Sequence, residues 1–146
     1  MTITDHTTDM IHRSDPEDQA AVRLRLDQIW AAAAARDFET LESFHLYGSK
    51  FTSFMNGAPR EDAAANAAGE RAMFSVLEGP EVDMRELVVN IFGDVGIATF
   101  NGHFTGMMNG SPTELRQQAT MVFVSSGDEW KLVHEHFSPL ATSQPD

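Results

Sequence analysis

The chain is 146 residues long with 42% hydrophobic and 22% charged residues, enough apolar matter for one packed domain and too much for a disordered chain. A formal net charge of −12 sets it against phosphate backbones and anionic bilayers, so neither nucleic acid nor a membrane is an expected partner. It holds no cysteine, which excludes disulfides, thiol nucleophiles and thiolate metal sites; a reducing cytoplasm is the expected location.

Residues 1–14 are polar and acidic without periodicity, and read as a loose tail rather than a secretory signal, with His6 and His12 solvated. Asp15-Pro16-Glu17-Asp18 is a helix start: a capping side chain, a proline at the first position, and acids at the positive end of the dipole. Val22, Leu26, Ile29, Trp30 and Ala33 then recur at helical spacing as one apolar stripe. Asp37 caps a second, short helix with Phe38, Leu41 and Phe44 on one side, ending near residues 46–48. Residues 50–56 read as a strand closed by Gly57-Ala58-Pro59. A third helix spans 61–77, where Ala63, Ala64, Ala65, Ala67 and Ala68 permit close approach to another layer, Phe74 and Leu77 supply bulk, and Gly79-Pro80 form the stop. Beyond it lie four strands, 82–92, 95–108, 114–125 and 130–140, joined by turn formers short enough to force antiparallel pairing. Residues 141–146 form a second polar tail, leaving 15–140 as a single domain. The order of elements is an α+β plan with helices on one face of a sheet that Gly93, Gly96, Gly102 and Gly106 allow to bend, and a cavity between the layers.

Four stretches carry a likeness: Ile29-Trp30-Ala31 through Arg36-Asp37-Phe38; Gly93-Asp94; Gly127-Asp128-Glu129-Trp130-Lys131-Leu132; and Val133-His134-Glu135-His136-Phe137-Ser138. In them the chain resembles the nuclear transport factor 2-like superfamily, which includes ketosteroid isomerases and SnoaL-type polyketide cyclases. The ending also resembles the association domain of calcium/calmodulin-dependent kinases. The likeness covers about 16–139. It implies a cone-shaped, strongly curved antiparallel or mixed β-sheet wrapped around three N-terminal helices, a cystatin-like α+β barrel. It also implies a homodimer formed through the convex sheet face. A ketosteroid isomerase needs a carboxylate on the first strand, a tyrosine on a helix and a protonated aspartate. The matching places here hold Phe54-Met55-Asn56-Gly57, then Ile29 and Trp30, then Thr120 and Met121. Steroid isomerisation by that mechanism is therefore not expected.

On the last strand, Trp130, Leu132, His134, His136 and Ser138 alternate with Lys131, Val133, Glu135 and Phe137. Both sets mix polar with apolar residues, so periodicity does not choose between them. The resemblance implies that the residue before Ser138 lines the cavity, which places Phe137, Glu135 and Val133 inside. Glu135, beside Met121 and Phe123, is then a carboxyl on an apolar wall: a candidate acid/base, or else one partner of an arginine across an interface. His103 is the second catalytic candidate, because an ordinary imidazole titrates at about 6.5; a purely structural role is its alternative. Trp30, Tyr47, Phe54, Asn56, Met121 and Phe137 are expected to shape a ligand pocket. His134 and His136 form an H-x-H pair on the opposite face, able to hold zinc or iron if His103 or Glu114 supplied a third ligand. Hydrogen bonding within the sheet or at a dimer surface is the preferred role for that pair, and no metal or cofactor is required. His45 is explained by the negative end of a helix dipole. The expected function is a binder, or a lyase- or isomerase-type enzyme, for a small apolar or aromatic metabolite. A non-catalytic self-association or ligand-sensing module is the alternative.

Overall fold

In the computed structural model, which describes residues 3–141, the apolar stripe of helix α2 (Pro16–Ala34) lies on the inner face of a curved five-stranded sheet. Its buried residues are Val22, Leu26, Ile29, Ala32 and Ala33, a run at three- and four-residue spacing. The approach is close: a Cβ on Gly96 of strand β3 (Val95–Met108) would sit 3.1 Å from Val22 Cγ2 and 3.2 Å from Ile91 Cδ1. Asp15 does not cap α2 with its side chain. Its carboxylate takes Arg13 Nε at 3.0 Å instead, an ion pair outcompeting the backbone N–H groups. The segment expected as a loose tail is helical over Ile3–His12 (α1), closed by the Arg13–Asp9 pair one turn apart.

Helix α3 (Phe38–Ser43) starts as expected, with the Asp37 carboxylate accepting from Thr40 N at 3.2 Å. Strand β1 (Thr52–Met55) follows, and then α4 (Ala63–Val76), which Asp62 caps through Ala65 N at 2.9 Å. Gly79-Pro80 does not stop α4. The helix turns at Leu77 straight into strand β2 (Leu77–Phe92), and Gly79, at φ +57°, lies in a bulge between Glu78 and Glu81 that bends the strand. The last carbonyls of α4 are held by Arg36, whose Nε donates to Phe74 O at 3.0 Å and whose Nη2 donates to Leu77 O at 3.2 Å.

Strands β4 (Ser111–Ser126) and β5 (Glu129–Pro139) complete the sheet in the order β1-β5-β4-β3-β2. The β2–β5 meander is antiparallel, while β1 joins the edge parallel to β5, with Ser53 beside Glu135 and Met55 beside Phe137. One irregularity sets the functional face. Val122 pairs with His134, but Phe123 pairs with Leu132, so Val133 is an extra residue in β5. Trp130 and Leu132 therefore point inward before the bulge, and Glu135 and Phe137 after it. The expectation that Val133 lies inside fails for this reason; it is half-buried at the bulge. The core joins α2, Leu41 and Phe51 to Ala98, Met121, Phe123 and Leu132. No helix among the described residues is long and apolar enough to cross a membrane.

A Gly96→Val substitution forces side chains into the Val22, Ile91 and Trp130 contacts. It is expected to lower the urea midpoint by the equivalent of about 1–3 kcal/mol while leaving the far-ultraviolet circular dichroism unchanged.

Candidate active site

Between α2, α4 and the inner face of the sheet lies a cavity of about 310 Å³. Its wall is mostly apolar, with Trp30, Phe74, Phe104 and Phe137 supplying four aromatic rings. Trp30 meets Phe104 edge to face at 5.6 Å and gives its indole N–H to Met84 Sδ at 3.3 Å. The polar lining includes Asn56, Gln117, Glu70, Glu81 and Glu135, and among the described residues no lysine, arginine or histidine faces the space.

Glu135 is only 4% exposed. The β5 bulge turns it inward, and Asn66, on the buried side of α4, donates its amide to Glu135 Oε1 at 2.8 Å and to Ser53 Oγ at 3.2 Å. The amide is fixed from behind by Tyr47, whose hydroxyl donates to Asn66 Oδ1 at 2.7 Å. The Ser53 hydroxyl in turn donates to Glu61 Oε1 at 3.1 Å. One helical turn along α4, Glu70 brings a second carboxyl to Glu135. Its Oε1 lies 3.1 Å from His45 Nε2, and its buried Oε2 has no other donor. His45 in turn stands with Nδ1 2.8 Å from Leu41 O, which fixes the proton on Nδ1 and turns Nε2 toward Glu70. The loop carrying His45 is itself tied to β5 by Leu46 N donating to Leu132 O and Leu132 N donating to Phe44 O.

Electrostatics follows from this packing. Burial, and then the neighbouring Glu70 charge, push the Glu135 pKa up to about 7, against the opposing pull of His45 and the Asn66 hydrogen bond. For His45, burial disfavours the imidazolium, but the bond and charge of Glu70, the charge of Glu135 and the Leu41 carbonyl together outweigh it and raise its pKa. Burial, reinforced by the surrounding carboxylates, drives the Tyr47 hydroxyl far above its ordinary value, so it stays a neutral donor. The ligating atoms of His45, Glu70 and Glu135 lie within 4.8 Å of one another. Such a group could hold a cation or share a proton; the His45–Glu70 contact at 3.1 Å is a hydrogen bond along which a proton can move.

The family model for the SnoaL-like domain matches residues 22–142. The chain belongs to the SnoaL-like domain family. No curated protein matches its sequence. Among solved structures it is similar to an NTF2-like family protein of Streptomyces avermitilis to which a dehydratase activity is ascribed, with 22% identity, a TM-score of 0.80, and coverage of 88% of this chain and 100% of the other. An NTF2-like superfamily protein of Salmonella enterica matches at 14% identity and a TM-score of 0.75, covering 86% and 93%. The CamKII hub homology domain of Chlamydomonas reinhardtii matches at 21% identity and a TM-score of 0.66, covering 84% and 98%. These likenesses establish the NTF2-like fold.

Within this SnoaL-like domain, Glu135, Trp30, Asn56 and Phe137 all face the cavity. Three expected pocket residues do not. Met121 is buried in the core beneath it, Tyr47 stands behind Asn66, and Phe54 projects to the outer side against His134 and His136. His103 is also displaced: strand alternation puts it on the outer face, where Nδ1 accepts from Arg85 at 3.1 Å and Nε2 lies 2.9 Å from Glu114. His134 bonds Thr52 at 2.9 Å and His136 is exposed, so the H-x-H pair does not converge with His103. His45, Asn66 and Glu70 are site residues that sequence reading missed. Asn66 and Glu70, four apart on an alanine-rich helix in line with Ala63 and Phe74, were the available signal.

A carboxyl that binds its proton more tightly when folded stabilises the folded state at low pH, and that stability is lost as pH rises from the unfolded value near 4.5 toward about 7. The raised His45 acts in the same direction at higher pH. Chemical denaturation is expected to show the wild type less stable at pH 8 than at pH 5.5, with the difference reduced in Glu135→Gln.

Proposed function

We propose that the cavity holds a small, uncharged, largely apolar or aromatic metabolite, and that Glu135 moves a proton on it, as in a lyase or isomerase. The observation that carries this reading is the Glu135 carboxyl, buried at the cavity wall and held by Asn66. A carboxyl titrating near neutrality can both give and take a proton. The four aromatic rings suit a flat or compact hydrocarbon frame. With Glu70 and Glu81 on the wall and no basic side chain there among the described residues, an anion entering the cavity would lose its hydration without gaining a partner. The dehydratase activity ascribed to the Streptomyces relative is of the same general kind.

A thermal-shift screen of neutral and anionic metabolites is expected to yield only neutral ligands. With a ligand in hand, turnover in deuterated water is expected to place deuterium in it, and Glu135→Gln to slow that exchange about 100-fold or more while retaining binding. Undiminished exchange in the variant overturns the assignment. Binding with no exchange at all favours the ligand-sensing alternative.

A homodimer through the outer sheet face is the second part of the proposal. That face carries a shallow polar depression of about 430 Å³ lined by residues such as Thr99, Gln118, Thr120 and His136. The hub homology domain of Chlamydomonas reinhardtii and a calcium/calmodulin-dependent protein kinase II association domain ascribed to Xanthomonas campestris share the fold. Sedimentation equilibrium at micromolar concentration is expected to give a dimer, and Thr120→Arg a monomer; a monomeric wild type refutes it.

A further inference from the structure

Glu70 and His45 have no part in the chemistry assigned so far, yet both stand beside its acid, His45 buried and Glu70 half-buried. Glu70 Oε1 faces His45 Nε2 at 3.1 Å, while Glu70 Oε2 is buried with no protein donor unless the neighbouring Glu135 carries a proton. The Asn66 amide occupies Glu135 Oε1, which leaves the other Glu135 oxygen for that proton. His45 Nδ1 is committed to Leu41 O, so Nε2 is its only exchangeable position toward the cavity.

We infer that Glu70 and His45 are positioning residues that keep the cavity acid loaded: Glu135 and Glu70 share one proton, and His45 Nε2 passes a second to Glu70 when Glu135 gives its own to a guest. The inference rests on the proton-transfer reading of the cavity. When the Glu135 O–H bond breaks toward the guest, the new carboxylate lies against Glu70. The Nε2–H bond of the imidazolium then breaks as an O–H bond forms on Glu70, and the Glu70 proton is shared with Glu135. His45 becomes neutral, and the cluster loses one positive charge, equal to the proton delivered. Return of a proton from the guest reverses each step. No water or cofactor is consumed.

The surrounding charges do not short-circuit this path. Glu42 on α3 is held by Arg71 through Nε at 2.9 Å and Nη2 at 3.0 Å. Glu61, ahead of α4, is engaged by Ser53, and Tyr47 by Asn66. What remains around Glu135 is the like charge of Glu70 on α4, with Glu81 of β2 on the same cavity wall, and the opposite charge of His45 on the loop after α3; like and opposite charges must act on it with opposite sign.

The test is the titration of Glu135 itself, followed by carbon NMR of glutamate-labelled protein and assigned by its loss in Glu135→Gln. Glu70→Gln is expected to move the Glu135 midpoint down by about one pH unit or more, and His45→Gln to move it up. Midpoints that stay put, or that move in the same direction in both variants, overturn the inference. Should a variant fail to fold, the wild type decides: His45 nitrogen and Glu135 carbon signals must share the same two titration steps. Independent single steps, or a stoichiometric divalent ion in the purified protein, overturn it. Because the readout is a titration, it separates the two readings. Opposite shifts without turnover uphold the cluster and sink the enzyme, whereas Glu135-dependent exchange without the shifts does the reverse.

Discussion

A carboxyl group cannot be taken out of water without a proton or a partner, and the inner half of this molecule is organised around meeting that condition for Glu135. Asn66 reaches it from α4, Ser53 stands beside it on β1, and Tyr47 holds the Asn66 amide in the orientation that donates. One amide touches both strands because the Asn66 side chain reaches from α4 to Ser53 on β1 and to Glu135 on β5. The parallel β1–β5 pairing, unusual beside an antiparallel meander, is part of the same device, because it sets Ser53 level with Glu135.

The two faces of the sheet treat ionisable residues differently, and the difference is one of solvent rather than of residue type. On the outer face His103, Arg85, Glu114 and Arg116 form a chain of contacts near 3 Å, but the Glu114 side chain is 54% exposed and water screens the group. Exposed pairs of this kind contribute about 0–1 kcal/mol each and leave little reason to assign chemistry. Inside, the same residue types, His45 with Glu70 and Glu135, come within 4.8 Å of one another, and the Glu70 charge raises the proton affinity of both His45 and Glu135. That contrast separates His45 from His103, although His103 looks the better candidate in the sequence.

The fold was largely legible because its signals are local. Asp37 caps α3, the Val22 to Ala33 stripe faces the sheet, and Gly93-Asp94 turns β2 into β3. The site was legible only where a single strand carried it. The mixed polarity of both faces of β5 was itself the trace of the bulge at Val133: no strict alternation fits a strand whose inward set changes parity halfway along. Glu70 and His45 lie 65 and 90 residues before Glu135, and nothing local joins them to it. Their convergence is decided by how α3 and α4 close on the sheet, which no periodicity encodes. Gly79-Pro80 misled for a related reason: a dipeptide that ends helices serves equally well to kink a strand once α4 has already ended at Val76.

The position of the acid also bears on how one fold hosts different chemistries. The isomerases that this chain resembles carry their carboxylate on the first strand, where this chain has Phe54, Met55 and Asn56. Neighbouring strands are about 4.8 Å apart, and residues level across a parallel pair point the same way. Ser53 and Glu135 are level, so a carboxyl on β5 opens onto the cavity that a carboxyl on β1 would serve, displaced by one strand. The move has a consequence. Both places are buried, Ser53 at 0% exposure and Glu135 at 4%, but β5 lies between β1 and β4, so a carboxyl there has no open strand edge beside it. Burial raises the affinity of Glu135 for its proton, which suits it to act as an acid and requires neighbours that keep it supplied.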